Sequence, residues 1–265
     1  MSERVAIILA AGISSRMKTD VPKVLHEVCG RPMLAYVLDA CRQVGVAKIY
    51  VVVGFGADQV KERFGSDGDI VWVRQEQQNG TAHAVMCCKE HLADFEGQTL
   101  VLCGDGPLIR AETLETVIET HEAENSTMTL ATAVLDDPSG YGRIDRNGDG
   151  NLRGIVEHKD CTNEQLAINE VNPSYYLFDN KVLFEALDKV RSDNASNEYY
   201  LTDALSIIIE AGHKVAAVTA VRAEEAVGVN TKEQLGWMNE IMSRRIEESR
   251  MSVEGRSGRE TGRQD

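Results

Sequence analysis

Val5-Ala-Ile-Ile-Leu-Ala-Ala-Gly-Ile-Ser-Ser-Arg-Met-Lys-Thr-Asp-Val-Pro-Lys23 decides how the rest of the chain is read. Val5 to Leu9 is a continuous apolar run, the pattern of a parallel strand buried on both faces. The chain then turns small, through Ala10, Ala11, Gly12, Ser14 and Ser15, and basic, at Arg16 and Lys23. Small residues at a strand end let backbone N–H groups come close to a ligand. Two cations just beyond them point to an anionic ligand, and the expectation is a loop that grips a nucleoside triphosphate.

Working outward, the alternation of strand and helix continues. Pro32 opens a helix to about Val44, with Leu34, Val37, Leu38 and Cys41 on one face and Gly45 as its stop. Strands are expected at 48–54, 70–73, 99–103 and 128–134, and helices at 57–64, 81–92 and 112–123. This rhythm predicts an α/β fold, a doubly wound, mostly parallel, Rossmann-like sheet covered on both faces. After Asp136 the pattern changes. A hairpin is expected over 141–157, a strand at 175–178, helices at 181–190 and 199–211, a strand at 214–219 and a last helix at 232–248. The expected organisation is one domain over 1–248. Its parts are a portion at about 4–135 that carries the anion-gripping loop, a smaller β-rich portion at about 136–230 and a C-terminal helix at 231–248. A polar tail, 249–265, is expected to be disordered.

Composition narrows the function. The 265 residues are 43% hydrophobic but only 5% aromatic, so the core is expected to be aliphatic. Asp and Glu outnumber Lys and Arg by 42 to 28, a net charge of −14, which argues against nucleic-acid binding. No secretion signal opens the chain, and no apolar run approaches the ~20 residues of a membrane span. The cysteines, Cys29, Cys41, Cys87, Cys88, Cys103 and Cys161, form no C-x-x-C pair and sit mostly in apolar segments, as reduced thiols of a cytoplasmic protein do. Neither G-x-G-x-x-G nor G-x-x-x-x-G-K-[ST] is present. The histidines lack zincin spacing, and G-x-S-x-G is absent, so neither a zinc site nor a hydrolytic triad is supported. Asp145-Arg-Asn147-Gly-Asp149-Gly150 starts like a calcium loop, but its twelfth position is Val156, and a hairpin turn accounts for it better.

The run Leu9-Ala-Ala-Gly12, Arg16-Met17 and Pro22-Lys23-Val24-Leu25-His26 resembles the signature of sugar-1-phosphate nucleotidyltransferases, most of all the bacterial N-acetylglucosamine-1-phosphate uridyltransferases. Further segments extend the resemblance over about residues 4–240. Gln75-Glu-Gln-Gln-Asn-Gly-Thr-Ala-His-Ala84 is similar to the segment that reads uracil, and an amide can pair with both donors and acceptors on a base edge. Leu102-Cys-Gly-Asp-Gly-Pro107 ends a buried strand where doubly wound folds bind ligands, and a carboxylate there suits Mg²⁺. Gly140-Tyr-Gly-Arg-Ile144, Ile155-Val-Glu157, Asn172, Glu198-Tyr-Tyr-Leu-Thr-Asp203 and Gly228-Val-Asn230 resemble the acceptor-sugar and metal segments. Cys103 stands where Tyr is usual, Gly106 where a larger residue is common, and Pro173-Ser174 where Thr-Gly is commoner; Ser14 and Ser15 replace a glycine and a threonine.

The resemblance implies a division of labour, with about 4–135 binding the nucleotide and about 136–230 the sugar. Arg16 and Lys23 are the catalytic cations. Leu9, Ala10, Ala11, Gly12, Gln75, Gln78, Gly80 and Thr81 bind the nucleotide. Gly104, Gly142, Glu157, Asn172, Tyr199 and Tyr200 bind the sugar, and Asp105 and Asn230 hold Mg²⁺. The implied reaction joins UTP and N-acetylglucosamine 1-phosphate into UDP-N-acetylglucosamine, with release of pyrophosphate. The expected partners are these small molecules, without nucleic acid or membrane, in a monomer or small homo-oligomer. Similar proteins usually continue into a β-helix of hexapeptide repeats carrying an acetyltransferase. No such repeat occurs here, so that activity is not expected. Two other readings remain at this level: a different sugar phosphate or nucleotide, and a non-catalytic nucleotide-binding regulator.

Overall fold

The structure is a computed structural model. It describes residues 2–12, 17 and 19–260, with side chains as far as Met251. Its strands are β1 (Arg4–Ala10), β2 (Glu27–Val28), β3 (Arg31–Pro32), β4 (Lys48–Val53), β5 (Ile70–Arg74), β6 (Gln98–Cys103), β7 (Met128–Val134), β8 (Gly142–Arg146), β9 (Leu152–Val156), β10 (Glu170–Asp179) and β11 (Val215–Thr219). Its α-helices are α1 (Met33–Gln43), α2 (Ala57–Phe64), α3 (Thr81–Met86), α4 (Lys89–Leu92), α5 (Ala111–Glu124), α6 (Asn163–Leu166), α7 (Asn180–Leu187), α8 (Asp203–Glu210), α9 (Ala223–Ala226) and α10 (Lys232–Glu260).

The main sheet runs β11-β7-β10-β6-β1-β4-β5, and the hairpin β8–β9 joins through β10. Strand β1 lies between β6 and β4, parallel to both. It is buried on both faces, as its apolar run predicts. Ala6, Ile8 and Ala10 enter the core under α1, α2 and α5, while Val5, Ile7 and Ala11 enter the core under α3, α7 and α8. From β1 the chain builds outward through β4 and β5, then returns to place β6 on the other side of β1. That reversal opens a crevice at the carboxyl ends of β1 and β6, the position where open α/β sheets bind ligands.

Three features differ from the expectations. β10 is antiparallel to both β6 and β7, so one sheet runs through both expected portions of the domain. An apolar run such as Tyr175–Phe178 carries no information about strand direction, and only the pairing fixes it. β10 also begins earlier, with a bulge between Val171 and Tyr175 where Pro173 has no N–H to give the ladder. Last, α10 continues to Glu260, into the segment 249–265 expected to be a disordered tail, of which 261–265 lie outside the described residues. Its buried stripe, Met238, Ile241 and Met242, packs with Met17, Val28, Met33, Leu108 and Val229. The following residues, rich in Arg and Glu, carry no helix-breaking proline. Among the described residues no helix is long and apolar enough to cross a membrane, and all six cysteines are free thiols.

Candidate active site

Two cavities open at the carboxyl ends of β1 and β6. The first, about 360 Å³, is lined by Leu9, Ala10, Ala11, Gly12, Lys23, Gln75, Gln78, Gly80, Thr81, Asp105 and Glu198, among others. The second, about 420 Å³, is lined by Asp105, Gly142, Glu157, Asn172, Tyr175, Glu225, Gly228 and Asn230, among others. Asp105 and Cys103 line both, so the cavities meet beside one carboxylate.

The walls of the first cavity are backbone brought close by small residues. Gly104 N–H donates to the Leu9 carbonyl at 3.0 Å, which joins the two strand ends. Gly104 itself lies under this junction. A Cβ there would sit 3.2 Å from Ile8, Leu9 and Val24 atoms, and Gly104 lines neither cavity. Gly54, absent from the expected set, ends β4; a Cβ on it would lie 2.7 Å from Gln78 Nε2 and 2.9 Å from the Ala11 carbonyl oxygen, so its bareness seats Gln78. Gln75 is buried and braces the turn, with Nε2 donating to the Gly80 carbonyl at 3.2 Å. Gly80 has φ +105°, and a Cβ there would meet the Tyr199 carbonyl oxygen at 2.5 Å and its nitrogen at 2.8 Å. Gly80→Ala therefore meets both backbone strain and a backbone clash. We expect a fall in Tm of roughly 5 °C or more, read by calorimetry; an unchanged Tm would remove the close approach from the account.

Tyr199 and Tyr200, expected on the sugar side, belong to the segment that makes these contacts. Tyr199 acts through its backbone, donating to Asn79 at 2.8 Å and accepting from Ala82 at 2.9 Å. Thr81 Oγ1 accepts from Leu201 N–H at 2.9 Å. With its polar backbone committed to the 79–82 turn, the segment from Tyr199 is not helical until Asp203, and neither tyrosine lines a cavity. Glu198, from the same motif, faces the first cavity instead.

In the second cavity, a Cβ on Gly142 would sit 2.8 Å from Ile155 Cγ2 and 3.6 Å from Glu157 Oε1, so the glycine keeps space beside that carboxylate. Glu157 accepts from Thr202 Oγ1 at 3.0 Å, and burial raises its pKa. Asn172 Nδ2 donates to Tyr176 Oη at 2.6 Å, and its Oδ1 accepts from Ser174 N–H at 3.1 Å. That second bond stabilises Ser174 at φ +67°, a conformation that glycine adopts more easily. Burial pushes the Cys103 thiol up to about 12, with help from the Asp105 charge.

Asp203, behind Glu157, is raised from 3.8 to about 6, first by burial and then by the Glu157 charge. The folded state therefore holds this proton more tightly than the unfolded chain. The resulting destabilisation grows as pH rises from about 4 to about 6 and is complete above that range. Asp203→Asn is expected to raise Tm at pH 8, with the gain disappearing by pH 4; a gain equal at both pH values would contradict the assignment.

At the seam stands Lys23. A 3₁₀ turn, Lys23–Leu25, follows Pro22 and is anchored by buried Val24. Lys23 Nζ donates to Asp105 Oδ2 and, at 2.8 Å, to Asn230 Oδ1. Thus the two expected metal ligands, 125 positions apart in sequence, already converge on one cation. Oxygen donors gathered on a positive charge fit a hard divalent ion. No cluster of three or more His, Cys, Asp or Glu suited to a metal occurs among the described residues. That is compatible with Mg²⁺, which is usually held by one or two carboxylates together with substrate phosphates and water. Asn230 is held by the start of α10, where its N–H donates to Gln234 Oε1 at 2.7 Å and Gln234 N–H donates to Thr231 Oγ1 at 3.2 Å. The cation expected at Arg16 lies outside the described residues, as do Ser14 and Ser15.

Comparison with known proteins identifies the family and the fold. The family of MobA-like NTP transferase domains matches residues 6–201. A bifunctional protein GlmU of Geobacillus thermodenitrificans is 49% identical over 246 residues, covering 93% of this chain and 53% of that protein. One from Listeria monocytogenes is 45% identical over 251 residues, covering 95% and 54%. The chain thus spans about half the length of the curated relatives it matches. Among solved structures, a putative glucose-1-phosphate thymidylyltransferase from Bacillus anthracis has a TM-score of 0.73 at 19% identity, covering 90% of this chain and 94% of its own. A UDP-glucose pyrophosphorylase has a TM-score of 0.73 at 16% identity, covering 92% and 100%. The chain belongs to the family of MobA-like NTP transferase domains.

Proposed function

We propose that this chain transfers the uridylyl group of UTP to N-acetylglucosamine 1-phosphate. The observation that carries the reading is the meeting of two cavities at Asp105, where Lys23 and Asn230 also converge. A nucleotide in the first cavity and a sugar phosphate in the second bring their phosphates together at that seam. The sugar phosphate is already an anionic nucleophile at neutral pH, so no protein base is needed. One of its oxygens bonds to the α-phosphorus, the bond from that phosphorus to the β-phosphate bridging oxygen breaks, and pyrophosphate leaves with the electron pair.

The protein contributes position and charge. Ala10 to Gly12 and the Gly80 turn hold the nucleotide, and Gln75 and Gln78 border the base. Glu157, beside the space at Gly142, accepts from sugar hydroxyls, and Asn172 shapes the wall. Lys23 neutralises phosphate oxygens at the reacting centre, and Arg16 is assigned to the departing pyrophosphate. Asp105 and Asn230 would hold Mg²⁺. Bound there, the ion supplies Lewis-acid stabilisation of charge on the phosphates. A cytoplasmic monomer or small homo-oligomer goes with this reading.

One observation favours a broader sugar choice. Beside Gly106 the nearest atom to an added Cβ is Tyr175 Oη at 3.9 Å, so this wall has room for a larger sugar substituent. Pyrophosphate release measured over four nucleoside triphosphates and several sugar 1-phosphates tests both readings. UTP with N-acetylglucosamine 1-phosphate is expected to be the best pair. Faster turnover with another sugar phosphate favours the broader reading, and no release with any pair overturns both.

A further inference from the structure

The loops that carry Asp105 and Asn230 are joined by charged side chains that belong to neither cavity's expected set. Arg110 caps α5, which begins just after Asp105. Its Nη2 donates to Glu224 Oε1 at 3.1 Å, and its Nε touches Glu225 Oε1 at 2.7 Å. Arg245, well along α10, donates from Nη2 to the same Glu224 oxygen at 2.5 Å and from Nη1 to the Leu108 carbonyl at 2.7 Å. Glu225 is fully buried, and its other oxygen accepts from Thr113 Oγ1 at 2.8 Å. Between these braces, Val229 N–H donates to the Asp105 carbonyl at 3.3 Å. Gly228 lets the backbone pass close, with an added Cβ only 3.4 Å from Asp105 Oδ2.

We propose that Arg245 and Arg110, through Glu224 and Glu225, are positioning residues that set the spacing of Asp105 and Asn230 for a divalent cation. The proposal rests on the metal assignment made under the proposed function. The geometry favours this role over simple surface pairing. Both arginines converge on one carboxylate oxygen, one from the residue preceding α5 and one from α10. Glu224 is correspondingly held below the usual carboxylate range, first by its bond from Arg245 and also by Arg110. The braces reach the loop at Leu108 and Arg110, within five residues of Asp105. Partners that orient ligands from behind typically alter metal affinity about 10- to 100-fold when removed.

The test is Mn²⁺ binding to the whole chain without substrates, followed by electron paramagnetic resonance, in wild type, Asp105→Ala, Arg245→Met, Arg245→Lys and Glu224→Gln. Asp105→Ala examines the metal assignment itself, and its loss of binding is the expected result. If Asp105→Ala binds as wild type does, the metal reading fails and the positioning proposal with it. Given that loss, Arg245→Met and Glu224→Gln should each weaken Mn²⁺ binding about 10-fold, with partial recovery in Arg245→Lys. A lowered Tm with Mn²⁺ affinity within twofold of wild type in both variants overturns the positioning role while leaving the metal site intact. Glu224→Gln, which keeps the side-chain volume, still reports if Arg245→Met does not fold.

Discussion

Lys23→Met is expected to move two measurements in opposite directions. Turnover should fall by about 100-fold or more, because a preorganised charge at a transition state is typically worth a few kcal/mol. Binding of Mn²⁺ in the absence of substrates should instead tighten, by about threefold to tenfold. The reason is the contact of Lys23 Nζ with Asp105 and Asn230. Without substrates, an incoming cation must displace the ammonium from its own ligands. That pair is largely buried, with the Lys23 and Asp105 side chains 17% and 22% exposed. Its loss is therefore felt more than that of a surface pair, which is worth about 1 kcal/mol or less. A lysine that merely packed against the site would not produce opposite signs. Near-normal turnover in Lys23→Met would remove it from the reacting centre, and weaker Mn²⁺ binding would show that it supports the site instead of competing for it.

Asp105→Ala is expected to be the more damaging substitution. Among the described residues Asp105 is the one charged side chain that lines both cavities. Its removal takes away the proposed cation ligand and leaves the Lys23 ammonium without its carboxylate. Activity should fall about 1000-fold, and the residual rate should no longer saturate with Mg²⁺ over the wild-type range. A Mg²⁺ titration of unchanged midpoint would refute the ligand assignment whatever happened to the rate. Gly228 reinforces this expectation, since its backbone lies close against the Asp105 carboxylate. The site is built around that group, and alanine leaves a gap rather than a rearranged contact.

The parts of the fold legible in sequence were those fixed by local pattern. Val5–Leu9 and Lys48–Gly54 read as buried strands because their apolar runs have no polar face, and β1 and β4 are each paired on both sides within the sheet. The expected helix at 57–64 coincides with α2. Elements decided by distant partners were not legible. The helix expected over 81–92 divides at Cys87–Cys88, with no proline or glycine to mark the break. The short hairpin of β2 and β3 turns at Cys29 and Gly30, both at positive φ, and cysteine gives little sign of that conformation.

The candidate site shows the same division. Asp105, Asn230 and Lys23 each sit in a compact motif, and the fold brings all three together. Tyr199 and Tyr200 are expected on the sugar side from the resemblance alone, and no local pattern announces the backbone bonds that Tyr199 makes to the 79–82 turn. Gly54 escaped notice because its role depends on Ala11 and Gln78, which are remote in sequence. The Arg110–Glu224–Arg245 brace was equally hidden, since charged residues on two helices and a short turn look like ordinary solvated surface until the chain folds.

The most direct measurement is a single-turnover reaction of this chain with UTP carrying ³²P at the α-phosphate, N-acetylglucosamine 1-phosphate and Mg²⁺. The account predicts that the label appears in UDP-N-acetylglucosamine with an equal amount of pyrophosphate, and that chelation of the metal stops both. Label remaining in UTP, or appearing as UMP without sugar nucleotide, would contradict the joining of two substrates at Asp105.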